Sequence, residues 1–218
     1  MKREMTSQRK RAWIGFVLSA AAALALVCFA LFAGALAPYD PLETDYMHML
    51  EAPSRAHLFG TDQLGRDLYS RILYGGKTSL LIAFAVTGIV SVAGILIGTA
   101  AGFAGGLLDG VLMRVSDMLM AFPGSIFTIA VVSFIGVGTP HLILAMSLTG
   151  WTFYARISRS LVLSVKGNVY VEQARLGGAS AGRILLRYII PNVLPSILVN
   201  ISQDIGWKLL TISGLSLL

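Results

Sequence analysis

Residues 170–191 read YVEQARLGGASAGRILLRYIIP. Arg175, Arg183 and Arg187 are set against one acid, Glu172, so the stretch is basic, and it lies between apolar runs long enough to cross a bilayer. Val171, Ala174 and Leu176 are interleaved with Glu172, Gln173 and Arg175, a partly amphipathic helix that Asn168 can cap. Gly177-Gly178 breaks that helix or lets another chain approach closely. A second short helix is predicted over 181–188, and Pro191 then falls in the first turn of the following span, where its missing N–H does no harm. Helix, glycine break, helix makes a compact knob. Its bland use is to rest on anionic lipid; its sharper use is to meet another protein.

Composition says what surrounds the knob. The chain has 218 residues, 56% hydrophobic and only 13% charged, about half the charge of a soluble domain, so the bilayer is its solvent. The net charge of +6 is clustered between apolar runs, which is a topology signal, and no basic stripe on a polar chain points to nucleic acid. Cys28, the single cysteine, sits in an apolar run and can form neither an intrachain disulfide nor a cysteine metal cluster.

Five apolar stretches follow the chain: 12–36, closed by Pro38 and Pro41; 79–103, rich in Gly and Ala as close helix packing in lipid favours; 118–137, with Pro123-Gly124 near its start; 141–163; and one from near Ile189 to the end, interrupted by Asp204 and Lys208. The first is too long for a cleaved signal and reads as an anchor after a basic tail, 1–11. That tail carries five bases and one acid, and 156–187 carries six bases and one acid. Four spans separate them, so both fall on one side, which the positive-inside rule makes the cytoplasm, and the acidic segment 38–78 falls outside. The organisation read from this is a tail (1–11), a first span (12–37), an external segment (38–78) and a core (79–218) that contains the cytoplasmic loop 164–190. The fold class is an all-α integral membrane bundle of about five spans.

Side chains that could do bond chemistry are sparse. Gly75-Gly76-Lys77-Thr78-Ser79 imitates the end of a phosphate-binding loop, but Arg71 stands where its first glycine is needed. The histidines, His48, His57 and His141, are scattered, and Met47-His48-Met49 reads as a loop rather than a soft-metal site. No nucleophile set, metal set or cofactor site can be assembled. Asp204 and Lys208 share a helix face at membrane depth, either as a neutralising pair that fixes packing or as a wall of a substrate path. Trp151, Tyr154 and Trp207 read as interface or packing aromatics.

Spacing within 172–191 resembles the cytoplasmic loop of ABC-importer permeases: Glu-Ala-Ala, three residues, Gly, nine residues, then Ile-x-Leu-Pro. Here Glu172, Gln173 and Ala174 precede Gly178 by the same interval, and nine residues lead on to Tyr188-Ile189-Ile190-Pro191. The departures are Gln173, Tyr188 and Ile190. The stretch 57–67, HLFGTDQLGRD, with Gly60, Thr61, Asp62, Gly65, Arg66 and Asp67, is similar to the external segment of the dipeptide, oligopeptide and nickel permeases of the second-subunit type. Met113–Asp117, Phe122-Pro123 and Tyr154–Arg156 fit the same pattern.

The resemblance implies a bundle of the type I importer permease kind, usually of six spans. It implies pairing with a homologous permease, two cytoplasmic ATPases and an external substrate-binding protein. Glu172, Ala174, Gly178 and Pro191 would form the ATPase-coupling loop, and ATP hydrolysis would belong to the partners, so the chain is no enzyme. The region 151–164 and Asp204-Ile205-Gly206 look closer to nickel-type than to dipeptide-type members. The family continues past Gly214-Leu215-Ser216 into a further loop and span, so an end at Leu218 reads as a truncated core. The alternative is a secondary transporter or channel without an ATPase, for which paired inverted repeats would be wanted.

Overall fold

The computed structural model describes residues 2–215. The order is α1 (Lys2–Leu31), α2 (Ala33–Leu36), a 3-10 turn (Tyr46–His48), α3 (Leu68–Ala104), α4 (Gly106–Met120), α5 (Gly124–Ile135), α6 (Thr139–Lys166), α7 (Val169–Leu176), α8 (Ala181–Ile184), a π turn (Leu185–Ile189) and α9 (Ile190–Leu215). Among the described residues there is no strand, only an isolated bridge between Thr61 and Asp67. Ser216, Leu217 and Leu218, on which the reading of the chain's end rests, lie outside the described residues.

Among the described residues three helices are long and apolar enough to cross a membrane, Trp13–Leu31, Leu68–Ala104 and Ala181–Leu215, with 18-residue windows of mean hydropathy 2.5, 2.7 and 1.6. A fourth arises only if α4 and α5 count together, because they meet at 81°. The single span expected over 118–137 is therefore corrected to a broken one. Residues 106–117, which lie between two of the apolar stretches, are helical, and Pro123 is the N-cap of α5 at the corner. Proline lacks an N–H and bars the preceding residue from helix, so the bend falls there. At 12 residues α5 is about 18 Å long, short of a ~30 Å hydrocarbon layer. The 28-residue α6 is long enough, but Thr139, Pro140, His141, Arg156 and Arg159 keep it out of the apolar set.

By its contacts the chain divides into two compact units, Met1–Leu81 and Ile82–Leu218, with α3 running through the boundary. In the first unit, α1 and α2 lead into an irregular segment that ends on the first turns of α3.

In the second unit α6 lies along α3. Gly94, Gly98 and Gly102, four residues apart, form the stripe that admits it. A Cβ at Gly98 would overlap the backbone of Ala155, and one at Gly94 would overlap Tyr154 and the Trp151 carbonyl. Around this contact Ile82, Val86, Val90, Met146, Tyr154 and Ile212 form one core cluster. A second cluster, made by Val162, Val171, Ile184, Ile189, Val193 and Ile197, ties α6, α7, α8 and α9 together.

Candidate functional site

Helix α7 is one side of that second cluster. Val171 is fully buried and Ala174 half-buried against it, whereas Glu172, Gln173, Arg175 and Leu176 are exposed. Eight residues cannot hold a helix in water alone; the buried Val171 face and the caps do so here. The carbonyl of Asn168 accepts the N–H groups of Val171 at 2.9 Å and Glu172 at 3.2 Å, but its side chain makes no capping bond, contrary to expectation. Glu172 in the first turn and Arg175 in the last complement the helix dipole.

The C-terminus closes by a Schellman arrangement. Gly178 has φ +79°, its N–H donates to Arg175 O at 3.0 Å, and the N–H of Ala179 reaches Ala174 O at 3.0 Å. Ala174 and Ala179 then pack on the same cluster, which brings the chain back towards α8. Glu172 and Gly178 are thus on the outside and Ala174 within.

Pro191 is the second residue of α9, in its first turn as expected, but the helical run does not begin there, because 181–215 is continuous over 35 residues. The π turn just before it absorbs the defect: the N–H of Ile190 donates to Leu185 O, five residues back. Widening by one residue lets the chain pass a ring that has no N–H and would crowd the carbonyl four residues earlier.

Asp204 and Lys208 are paired, Lys208 Nζ to Asp204 Oδ1 at 3.1 Å. The other carboxylate oxygen accepts the Tyr154 phenol at 3.0 Å. Tyr154, 1% exposed, is a packing aromatic that also carries a polar contact between α6 and α9. Fifty residues separate it from Asp204 and no spacing rule links the two, so sequence alone does not place it in this site.

Three of the bases read as topology signals are engaged within the fold. Arg159 grips Asp109 of α4 with both arms, Nε to Oδ1 at 2.5 Å and Nη2 to Oδ2 at 2.6 Å. Arg156 pairs with Asp117 one row along. Lys166 reaches the last carbonyls of α3, Gly102 at 3.3 Å and Phe103 at 2.5 Å, where a cation suits the helix C-terminus. Among the described residues no side-chain partner is recorded for Arg175, Arg183 or Arg187.

In the first unit the motif residues build a small knot. Asp62 takes Leu64 N at 2.8 Å and Arg66 N at 3.0 Å on one oxygen, and Arg66 Nε at 2.8 Å with Arg71 on the other. Burial would raise this carboxyl, but the amides of Arg66 and Leu64 and the Arg66 guanidinium outweigh it and hold the carboxyl below its ordinary value. Gly65, at φ +71°, passes so close to Asp45 that a Cβ would strike the Asp45 carbonyl. Gly60 at φ +76° abuts Glu51 likewise.

Thr61 donates to His48 O at 2.5 Å and accepts from Glu51 N at 2.9 Å. Asp67 starts α3, taking Ser70 N at 2.8 Å on one oxygen and His57 Nδ1 at 3.0 Å on the other. Burial pushes the Asp67 carboxyl up, and the Ser70 and His57 bonds pull it lower than that push, below the usual value. His57, Thr61, Asp62, Arg66 and Asp67 are therefore spent on the fold of their own segment, while Gln63 is exposed. His48 of the Met47-His48-Met49 run is bonded to Asp45 at 2.7 Å.

Two comparisons bear on identity. Residues 94–218 match the model of the family described as binding-protein-dependent transport system inner membrane component. The chain is 40% identical over 181 residues to the nickel transport system permease protein NikC of Escherichia coli (strain K12), covering 83% of this chain and 65% of that one. It is 40% identical over 201 residues to the glutathione transport system permease protein GsiD of Pectobacterium atrosepticum (89% and 65%), and 34% identical over 209 residues to the oligopeptide transport system permease protein OppC of Bacillus subtilis (96% and 67%). The chain thus spans about two thirds of the length of these relatives. Its helices, its apolar spans and the matched residues agree: it belongs to the family of binding-protein-dependent transport system inner membrane components.

Proposed function

We propose that this chain is a multi-pass permease subunit of an ATP-driven importer, supplying half of the translocation path and linking it to cytoplasmic ATPases through α7. The observation that carries this is the two-sidedness of α7. Val171 and Ala174 anchor it on the second core cluster, so it cannot shift without α6 and α9, while Glu172, Gln173 and Leu176 remain exposed for a partner. A helix fixed to spanning helices on one face and free on the other transmits rigid-body movement in both directions.

On this reading the basic tail 1–11 and the loop 164–190 are cytoplasmic, which the positive-inside bias supports. The span 12–37 is an anchor, and 38–78 is the external segment that meets a substrate-binding protein. A homologous permease completes the path and two ATPases drive it. The relatives handle nickel, glutathione and oligopeptides by their names, so the substrate is nickel, a metal–chelator complex or a short peptide. Asp204 and Lys208 belong to the path.

Reconstituted importer separates coupling from assembly. Glu172→Ala and Gly178→Val are expected to leave the subunits associated while ATP hydrolysis no longer drives uptake. Full ATP-dependent uptake by both variants would refute the role of α7.

A further inference from the structure

Helix α9 carries a pattern that no motif of the chain accounts for. Asn192, Ser196, Asn200, Asp204 and Lys208 recur every fourth residue. Spacing by four places side chains in one ridge that winds slowly round a helix. One residue on, Val193, Ile197, Ile201, Ile205 and Leu209 make a ridge without a polar atom in its side chains. The aliphatic ridge is the one that packs: Val193 and Ile197 lie in the second core cluster, and Ile205 and Leu209 against the first. The polar ridge is left at the edge of that packing, with Asn192 and Ser196 exposed and Asn200, Asp204 and Lys208 half-buried. On the other flank Leu194 and Leu198 are 40% and 54% exposed.

The ridge lies in a 35-residue helical run whose most apolar 18-residue window has a mean hydropathy of 1.6. From Asn192 to Lys208 it rises about 24 Å, most of a ~30 Å hydrocarbon layer. Amides, a hydroxyl and an ion pair facing lipid over that distance are costly, and such groups turn to a protein interior or to water. The contacts made within the ridge do not exhaust it. Asn192 and Asn200 each donate to a carbonyl four residues back, at 2.6 and 2.8 Å, which leaves their side-chain carbonyls free to accept. Lys208 gives one bond to Asp204 and has further N–H groups to give. Asp204 is different: Tyr154 and Lys208 hold one oxygen each.

We propose that this ridge is the wetted wall of the path, and that it takes a solute bearing amide and carboxylate groups rather than a bare divalent cation. This rests on the permease reading and deepens it. Side-chain amides offer donors and acceptors to a peptide-like solute, and Lys208 offers a cation to its carboxylate. A bare cation would find one acid on α9, with both oxygens already committed.

The test uses the assembled importer in membranes, with Cys28→Ala as background and single cysteines at Asn192, Ser196, Asn200, Leu194 and Leu198. A membrane-impermeant methanethiosulfonate is expected to react at least tenfold faster at the three polar-ridge positions than at the two leucines. The dipeptide Ala-Ala is expected to slow labelling at Asn200→Cys severalfold, and free Ni2+ to leave it unchanged. Equal rates on both flanks, or ridge cysteines that react in the lone chain but are shielded on assembly, would overturn the wall. Protection by Ni2+ alone, or by neither probe, would overturn the solute class. Blotting the same membranes for the ATPase keeps the two ideas apart: labelled ridge without bound ATPase sinks the permease reading, and bound ATPase with an unlabelled ridge sinks this one.

Discussion

The Tyr154 phenol donates to Asp204 at 3.0 Å, joining α6 to α9 across fifty residues of sequence, and Lys208 takes the other carboxylate oxygen. Removing one partner from a half-buried charge strands the other. Lys208→Met, with Asp204 kept, is expected to cost about 3 kcal/mol, and Tyr154→Phe about 1–2 kcal/mol. The double variant Asp204→Leu/Lys208→Met, which removes both charges, is expected to cost less than Lys208→Met alone. Denaturant titration in detergent reads all three. A double variant that costs as much as Lys208→Met or more would show that the pair is not coupled.

Close approach of α3 and α6 is the second expectation. Gly98→Val puts atoms where the Ala155 backbone lies, so the helices must part, and a loss of at least about 3 kcal/mol or failure to fold follows. Gly88→Ala, on the same helix with open space around it, is expected to be neutral or slightly stabilising. Comparable melting temperatures for the two variants would contradict the packing.

The segment around the Asp62 knot should loosen at both ends of a pH window. Asp62 and Asp67 are held below 3.8, so their contribution is complete above that value and is lost as pH falls through their lowered values. The bond to Asp45 raises His48 above 6.5, so its contribution is complete below 6.5 and is lost as pH rises through the raised value. Hydrogen exchange of the amides in 45–67 is expected to be slowest between about pH 4 and 6.5 once corrected for intrinsic rates. His48→Gln should flatten the alkaline side and, because the His48 bond is what chiefly lowers Asp45, also weaken the acid side, where Asp62 and Asp67 still act.

Gly178 sits at φ +79°, where a side chain costs about 1–2 kcal/mol and a β-branched one the most. Asparagine tolerates that region best after glycine. Uptake by the importer is expected to fall in the order Gly178, Gly178→Asn, Gly178→Ala, Gly178→Val. Equal uptake by the asparagine and valine variants would show that the turn conformation does not matter.

Much of this was legible in the chain. Apolar length and clustered charge gave the helical membrane class, and Gly177-Gly178 marked the end of α7 where the left-handed glycine stands. Three things were not. Pro123 reads as a position near the start of a span, whereas the structure turns 81° there, because local periodicity carries no information on how two apolar pieces are aimed. Pro191 reads as a helix start and stands in the first turn of α9, but the π turn that runs into it, with Ile184 before it and Ile189 at its end held in the core, has no local signal. Tyr154 was out of reach for the same reason: its bond to Asp204 is made by tertiary packing. The four-residue polar row of α9, by contrast, was present in the sequence and only needed α9 to be one helix to be read.

On the proposed reading it is the exposed face of α7 that meets the ATPase. A photoreactive residue placed at Gln173 or at Leu176, both exposed, is expected to form adducts with the ATPase subunit in membranes, and one at Ala174, facing the core, to cross-link only within the chain. Adducts with the ATPase from Ala174 but not from Gln173 or Leu176, or from none of the three in an importer that still transports, would contradict it.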